Sequence, residues 1–209
     1  MTTELAPEAV ADTGAFLARL VRLDPAALVR LRPARAGAVA LWAALPFDVL
    51  ATRLVPAGLT DDVTVRAAEL LAVLERGERA LPPRHDAAWR TPLPPDGGEP
   101  LETVPTGEIR RITRAAAQTV RDAGAAGVGE RRLRDELLDH SALIITVGSR
   151  REELPLRLVV ALARMGFLGP DDTAAVTIRA AGSWFGAEAR YGTAWYRPAS
   201  TLRISPVRR

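Results

Sequence analysis

The sequence predicts an α+β protein: an N-terminal helix/antiparallel-strand/helix unit packed with a C-terminal winged-helix-like unit that ends in a β-hairpin. Three observations carry this prediction. Residues 7–23 place Val10, Leu17, Leu20 and Val21 at helical spacing, whereas ALVRLRP (27–33) alternates apolar and charged residues as a half-buried strand does. Seven of the 16 prolines fall within residues 81–105, which divides the chain. Near the C-terminus, AVTIRAA and AEARYGTAWYR flank the turn-like GSWFG.

Each element follows from local chemistry. Pro7 sits in the first turn, where its missing N–H is harmless, and Asp24-Pro25 stops the helix. AVALWAAL and FDVLATRLV, separated at Pro46, read as two further extended segments, although the Ala content of the first also allows a helix. Thr60 or Asp61 caps a helix whose apolar stripe is Val63, Ala67, Leu70, Leu71 and Leu74 and which Gly77 ends. Residues 1–80 thus form the first unit, 81–105 a Pro-rich connecting segment and 106–209 the second unit. Prolines lack a donor and restrict their neighbours, so 81–105 can be neither a helix nor a central strand. His85 and Trp89 within it point to a segment packed over a surface, because a free linker rarely carries Trp. In the second unit Thr106 can cap a helix to about Ala123 with Ile109, Ile112, Ala116 and Val120 on one face. Glu130 to about Asp139 reads as a second helix, SALIITV as a strand, and Glu153 or Pro155 starts a third helix that stops at Gly166. No repeat period is visible.

At 48% hydrophobic and 25% charged residues, composition is that of a globular domain able to bury a core. The absence of cysteine excludes disulfides, thiolate metal sites and cysteine catalysis. All 28 basic residues are Arg, with no Lys and no Asn, which is how a GC-rich genome biases codon choice. The net charge of +3 arises in the second half, where Arg outnumbers acids. MTTELAPEAVADTG has no basic-then-apolar leader and no apolar run approaches ~18 residues. A cytoplasmic chain without membrane contact is expected.

In composition and overall style the chain resembles uncharacterised conserved proteins of high-GC actinobacteria, a resemblance that implies no activity. Over residues 105–197 the order helix, helix, helix, hairpin, with LARMGFL closing the third helix, resembles winged-helix domains. That resemblance implies a third helix laid in the DNA major groove. The residues argue otherwise: Leu154, Leu156, Leu158, Val159, Val160, Leu162 and Met165 surround the helix on almost every side, and Glu152 and Glu153 stand at its approach. A helix apolar all round is buried, and Arg157 is expected to matter little for any DNA contact. The candidate nucleic-acid contacts lie elsewhere. Arg110, Arg114 and Arg121 share one helix face with Arg111 beside them, and Arg179 and Arg190 flank the hairpin. The same arginines read equally as a solvated outer face. Trp184 and Phe185, at the hairpin turn, are candidate partner contacts, a stacking platform for single-stranded bases, or residues that dock on the first unit.

Catalytic patterns are sparse. His85 and His140 are the only histidines. Asp139, His140 and Ser141 are sequence neighbours and cannot converge as a triad must, so they read as a polar helix end. His85 with Asp86 could serve as a loop acid–base pair. No metal-ligand spacing exists, and Gly124, Gly127 and Gly129 match no phosphate-binding pattern, with Glu130 placed to repel an anion. The sequence therefore reads as a non-catalytic binding protein that engages a protein partner or itself, without cofactor or metal. The alternatives are a nucleic-acid-binding regulator using the basic helix face and, more weakly, an enzyme using His85 and Asp86.

Overall fold

The computed structural model describes residues 7–125, 136–147 and 150–198. Helix α1 (Pro7–Leu23) leads into a meander of β1 (Leu28–Pro33), β2 (Ala38–Leu45) and β3 (Val49–Pro56). Strand β4 (Val63–Arg66) then folds back beside β1 and runs directly into α2 (Ala67–Glu75). Here the sequence expectation of a helix from Val63 is corrected. The β-branched run Val63, Thr64, Val65 is stiff at χ1 and suits a pleated surface; it pairs with Leu31, Arg30 and Val29, and the helix starts only after Arg66.

Past the Pro-rich segment, β5 (Glu99–Pro105) runs directly into α3 (Thr106–Ala125). Residues 136–139 are helical, and most of the helix expected over 130–139 lies outside the described residues. A hairpin of β6 (Ser141–Val147) and β7 (Arg150–Pro155) precedes α4 (Leu156–Arg164). The chain closes with β8 (Ala175–Ala181), β9 (Trp184–Ala189) and β10 (Gly192–Tyr196). Where the sequence suggests one long second strand, AEARYGTAWYR turns at Arg190-Tyr191 and becomes two, with the Tyr191 N–H donating to Phe167 O at 3.1 Å. The last strand does not stand free as a wing. It pairs along β3, Tyr196 opposite Val49 through Thr193 opposite Thr52.

That pairing joins the two halves into one antiparallel sheet of eight strands, ordered β4-β1-β2-β3-β10-β9-β8-β5. The order reads the same from either end. A helix and a three-strand meander occupy each half (α1 with β1–β3, α4 with β8–β10), and a fourth strand beside the first of the meander runs into a second helix. In chain order the two halves are permuted, since the fourth strand follows the meander in the first half and precedes it in the second.

Strand alternation sends every second side chain to each face. Val29, Leu31, Leu41, Ala43, Val49 and Ala51 from one half, with Val176, Ile178, Ala187 and Ala194 from the other, face the helices in one continuous core. Leu158, Val159, Ala161 and Leu162 bury α4 in that core, the placement its apolar circumference predicts. Phe16 of α1 stacks on Phe167, just after α4, with ring centroids 6.3 Å apart, so the helical layer is also shared between the halves.

Candidate interaction groove

The face of the sheet opposite the helices would be open if the connecting segment did not cross it. β4 and β5 are the two ends of the sheet, so residues 76–98 must travel its whole width. Seven inter-strand steps of about 4.8 Å make roughly 34 Å, and an extended polyproline-type chain at ~3.1 Å per residue covers that in about a dozen residues. Pro92, Pro94 and Pro95 suit this task, because an extended backbone rich in proline needs no neighbouring strand.

Side chains hold the strap down. All four tryptophans of the chain meet beneath or within it: Trp184 and Trp195 are buried with Leu50 and Ala181, and Trp42, Trp89 and Leu93 pack around them. The Trp89 indole N–H donates to Thr91 O at 2.6 Å, which satisfies its polar end while the ring is covered. Pro95 lies against the β8–β9 turn, where a Cβ on Gly182 would come within 3.6 Å of its ring. At the other end Asp86 Oδ1 accepts the Thr64 N–H at 2.7 Å, and Asp86 Oδ2 accepts Arg84 Nε at 2.7 Å. The Thr64 N–H, and after it Arg84, hold the Asp86 carboxyl below the usual carboxylate range.

Between the strap at Pro94–Gly97 and the seam of β3 with β10 lies an open groove of about 940 Å³. Its floor includes Trp42, Thr52 and Trp195, and its rim carries Arg32, Arg35, Arg53 and Arg190 against Asp12, Asp96 and Glu188. The acids are mostly committed, Asp12 to Arg53 at 2.6 Å and Glu188 to Arg179. Arg35 and Arg190 make no ion pair among the described residues. Arg190 lies over the Tyr191 ring at 5.6 Å, and Arg53 lies over the same ring at 5.6 Å. The large apolar side chains exposed among the described residues are Leu54 (64%), Ile144 (51%) and Tyr191 (36%), and Leu54 and Tyr191 both line this groove.

Residues 93–201 of the chain match the model of a Domain of unknown function (DUF8185), which covers more than half of its length. The chain belongs to the DUF8185 family. Residues 3–91 match a second model, a Domain of unknown function (DUF8010), and the two matches meet inside the strap. No curated protein matches the sequence. Among solved structures this DUF8185 chain is similar to the Helicobacter pylori beta clamp in complex with 5-chloroisatin, with TM-score 0.59 and 10% identity over 99% of this chain and 65% of the clamp. The beta subunit from DNA polymerase of Streptococcus pyogenes gives TM-score 0.58 and 11% identity over 94% and 64%. The DNA polymerase sliding clamp from Pseudomonas aeruginosa gives TM-score 0.56 and 12% identity over 91% and 63%. The chain thus spans about two thirds of the length of these clamps, and the likeness is one of fold.

The residues singled out in the sequence are dispersed across this DUF8185 fold. On α3, Arg110 pairs with Asp172 at 3.2 Å, Arg111 Nε donates to Glu108 at 2.9 Å and Arg121 donates to Gln118 Oε1 at 2.6 Å. Arg114 is exposed and unpaired among the described residues. Arg179 is held by Glu188 and donates to Gly98 O at 3.2 Å, anchoring the strap, whereas Arg190 reaches the groove rim. Of the readings open for Trp184 and Phe185, docking within the chain is the one observed, with Trp184 packed beside Leu50 and Trp42 of the first half. The turn is Gly182-Ser183, so both are the first residues of β9 and point to opposite faces, Trp184 into the cluster beneath the strap and Phe185 against the helical core. Neither His85 nor Asp86 lines the groove, and the Asp86 carboxylate is occupied by Thr64 and Arg84. Gly127, Gly129 and Glu130 lie outside the described residues.

Residues without a sequence signal turn out to matter at the seam. Arg157, 11% exposed, donates to Phe47 O at 2.9 Å, pairs with Asp48 and Asp139, and lies over Tyr196 at 5.8 Å. It grips the β2–β3 turn of the other half. Arg53, also 11% exposed, pairs with Asp12 and meets Tyr191 in the β9–β10 turn of the other half. Two buried arginines thus clamp opposite ends of one seam. Among the described residues no group of three His, Asp or Glu side chains converges to hold a metal, and no helix is long and apolar enough to cross a membrane.

Proposed function

We propose that the chain is a non-catalytic interaction module of the cytoplasm. Its groove at the seam takes an acidic segment of a partner protein, with one apolar residue packed on Leu54 and Tyr191. The observation that supports this reading is the meeting of exposed apolar surface with positive charge in one concave place: Leu54 and Tyr191 beside Arg35 and Arg190, neither of which forms an ion pair among the described residues. Tyr, Trp and Arg are the side chains that carry most binding energy at interfaces, and a cationic rim selects and steers an anionic partner. Structures of this fold described as the beta subunit of a DNA polymerase belong to an assembly, which supports a protein partner. A nucleic-acid contact through α3 has less support, because two of its four arginines are already ion-paired and Arg121 is hydrogen-bonded to Gln118.

Fluorescence anisotropy with labelled peptides tests the reading. An acidic peptide carrying a Leu should bind the full chain, more weakly as salt rises, and a basic peptide of equal length should not. Arg35→Glu combined with Arg190→Glu should weaken the acidic peptide at least about tenfold, in line with loss of two charge contacts. Equal binding of both peptides, or indifference to the double substitution, would refute the proposed groove.

A further inference from the structure

The two ends of the eight-stranded sheet are closed in different ways. β5 carries Pro100 and Pro105, which have no N–H to offer a further strand, together with Glu99, Glu102 and a register shift between Pro100 and Glu102. These are permanent blocks against strand addition. β4 holds no proline and pairs in regular register with β1 on one side only. Its outer side is filled by the strap. The His85 N–H donates to Thr64 O at 2.7 Å, the Thr64 N–H donates to Asp86 Oδ1 at 2.7 Å, and Arg84 Nη2 donates to Asp62 O at 2.9 Å. Both outward main-chain groups of Thr64 are therefore satisfied as a neighbouring strand would satisfy them. One of the two partners is a side chain.

We propose that Arg84–Asp86 is a built-in strand mimic that closes the β4 edge, and that this edge, once uncovered, pairs with the β4 edge of a second copy of the chain. The edge is self-complementary. A two-fold axis at Thr64 sets Thr64 opposite Thr64, so that the two residues exchange N–H···O bonds in both directions, as an antiparallel hydrogen-bonded pair does. The same register places Val63 opposite Val65, and Asp62 of one copy opposite Arg66 of the other. Asp62 already pairs with Arg30 of its own copy at 2.5 Å, and the Arg66 of the other copy would join that pair at each end of the ladder, which favours this pairing over a shifted one. The chain holds its cap by one main-chain bond and two side-chain contacts of the strap, whereas the far end is sealed by proline.

Light scattering of the full chain over a concentration series tests the proposal. The unaltered chain should keep the mass of one copy. Arg84→Ala with Asp86→Ala should move toward twice that mass as concentration rises, and adding Thr64→Pro, which removes the outward donor, should return it to one copy. A folded double variant that stays at single mass throughout, or a dimer that Thr64→Pro leaves intact, overturns the proposal. Hydrogen exchange on the unaltered chain gives a reading that does not depend on how the variants fold. The Thr64 amide should exchange as slowly as the paired amides of β1, and fast exchange there would mean that no cap exists.

Discussion

The two halves of the sheet are built to one plan and finished differently. In the first half α2 is short and firmly seated, with Ala67, Leu70, Val73 and Leu74 buried. In the second half α3 is more than twice as long, yet over its residues 106–122 only Thr106 and Ile109 are fully buried, and most of those beyond Ile112 are exposed. Equivalent positions in a fold therefore do not imply equivalent contributions to its stability. α2 is held by tertiary packing, whereas the far part of α3 relies on contacts within the helix, such as Gln118 with Asp122 at 2.6 Å.

The strongest way to break this comparison is to attack what the halves share. Phe167→Ala removes a fully buried ring stacked on Phe16 and should cost about 3–5 kcal/mol. Urea unfolding followed by both tryptophan fluorescence and circular dichroism should show one transition at a lower midpoint. Two separate transitions would mean that the halves hold their cores apart. A smaller effect is expected at the seam clamps. Arg157→Ala and Arg53→Ala should each cost about 1–2 kcal/mol, chiefly through lost packing and, for Arg157, the lost bond to Phe47 O. Their ion pairs add little, because Asp48, Asp139 and Asp12 are themselves exposed to solvent. A loss above that of Phe167→Ala in the same titration would show that the seam clamps, not the shared core, contribute more to holding the halves together. The smallest change sharpens the picture of the first half. Gly14 lies inside α1 with nothing within 4 Å of where a Cβ would stand. Gly14→Ala should therefore raise stability by about 0.5–1 kcal/mol through helix propensity alone, and a thermal midpoint that falls instead would place an unseen contact there.

Much of the fold is legible in the sequence because its signals are local. Pro7 and Asp24-Pro25 bracket α1 where it is observed, and AVALWAAL is β2 residue for residue. The proline count of 81–105 excluded a central strand, and β5 is indeed an edge strand. The failures also have physical causes. Val63 fits a helical stripe with Ala67 and Leu70 as well as a strand, and only pairing with β1 decides between them. The internal two-fold plan is invisible as a repeat because the halves run in permuted chain order. Whether Trp184 and Phe185 dock or stand exposed is open in the sequence, because one residue's shift of a turn exchanges the faces of a strand.

The candidate groove was less legible still. Leu54, Arg35 and Tyr191 carry no pattern of their own, and they meet only because β10 pairs with β3 and the strap crosses above them. Arg190 is a candidate nucleic-acid contact in the sequence, and the structure sets it beside exposed apolar surface.

By itself the sequence determined the α+β class, the extent of α1, the start of α3, the buried character of α4 and the Pro-rich connecting segment, since periodicity and proline act within a few residues. Only the tertiary structure decided the strand order, the clamp-like fold, the capped β4 edge and the groove. Those depend on which distant strands share hydrogen bonds, and a β-strand's own residues specify its faces but not its neighbour.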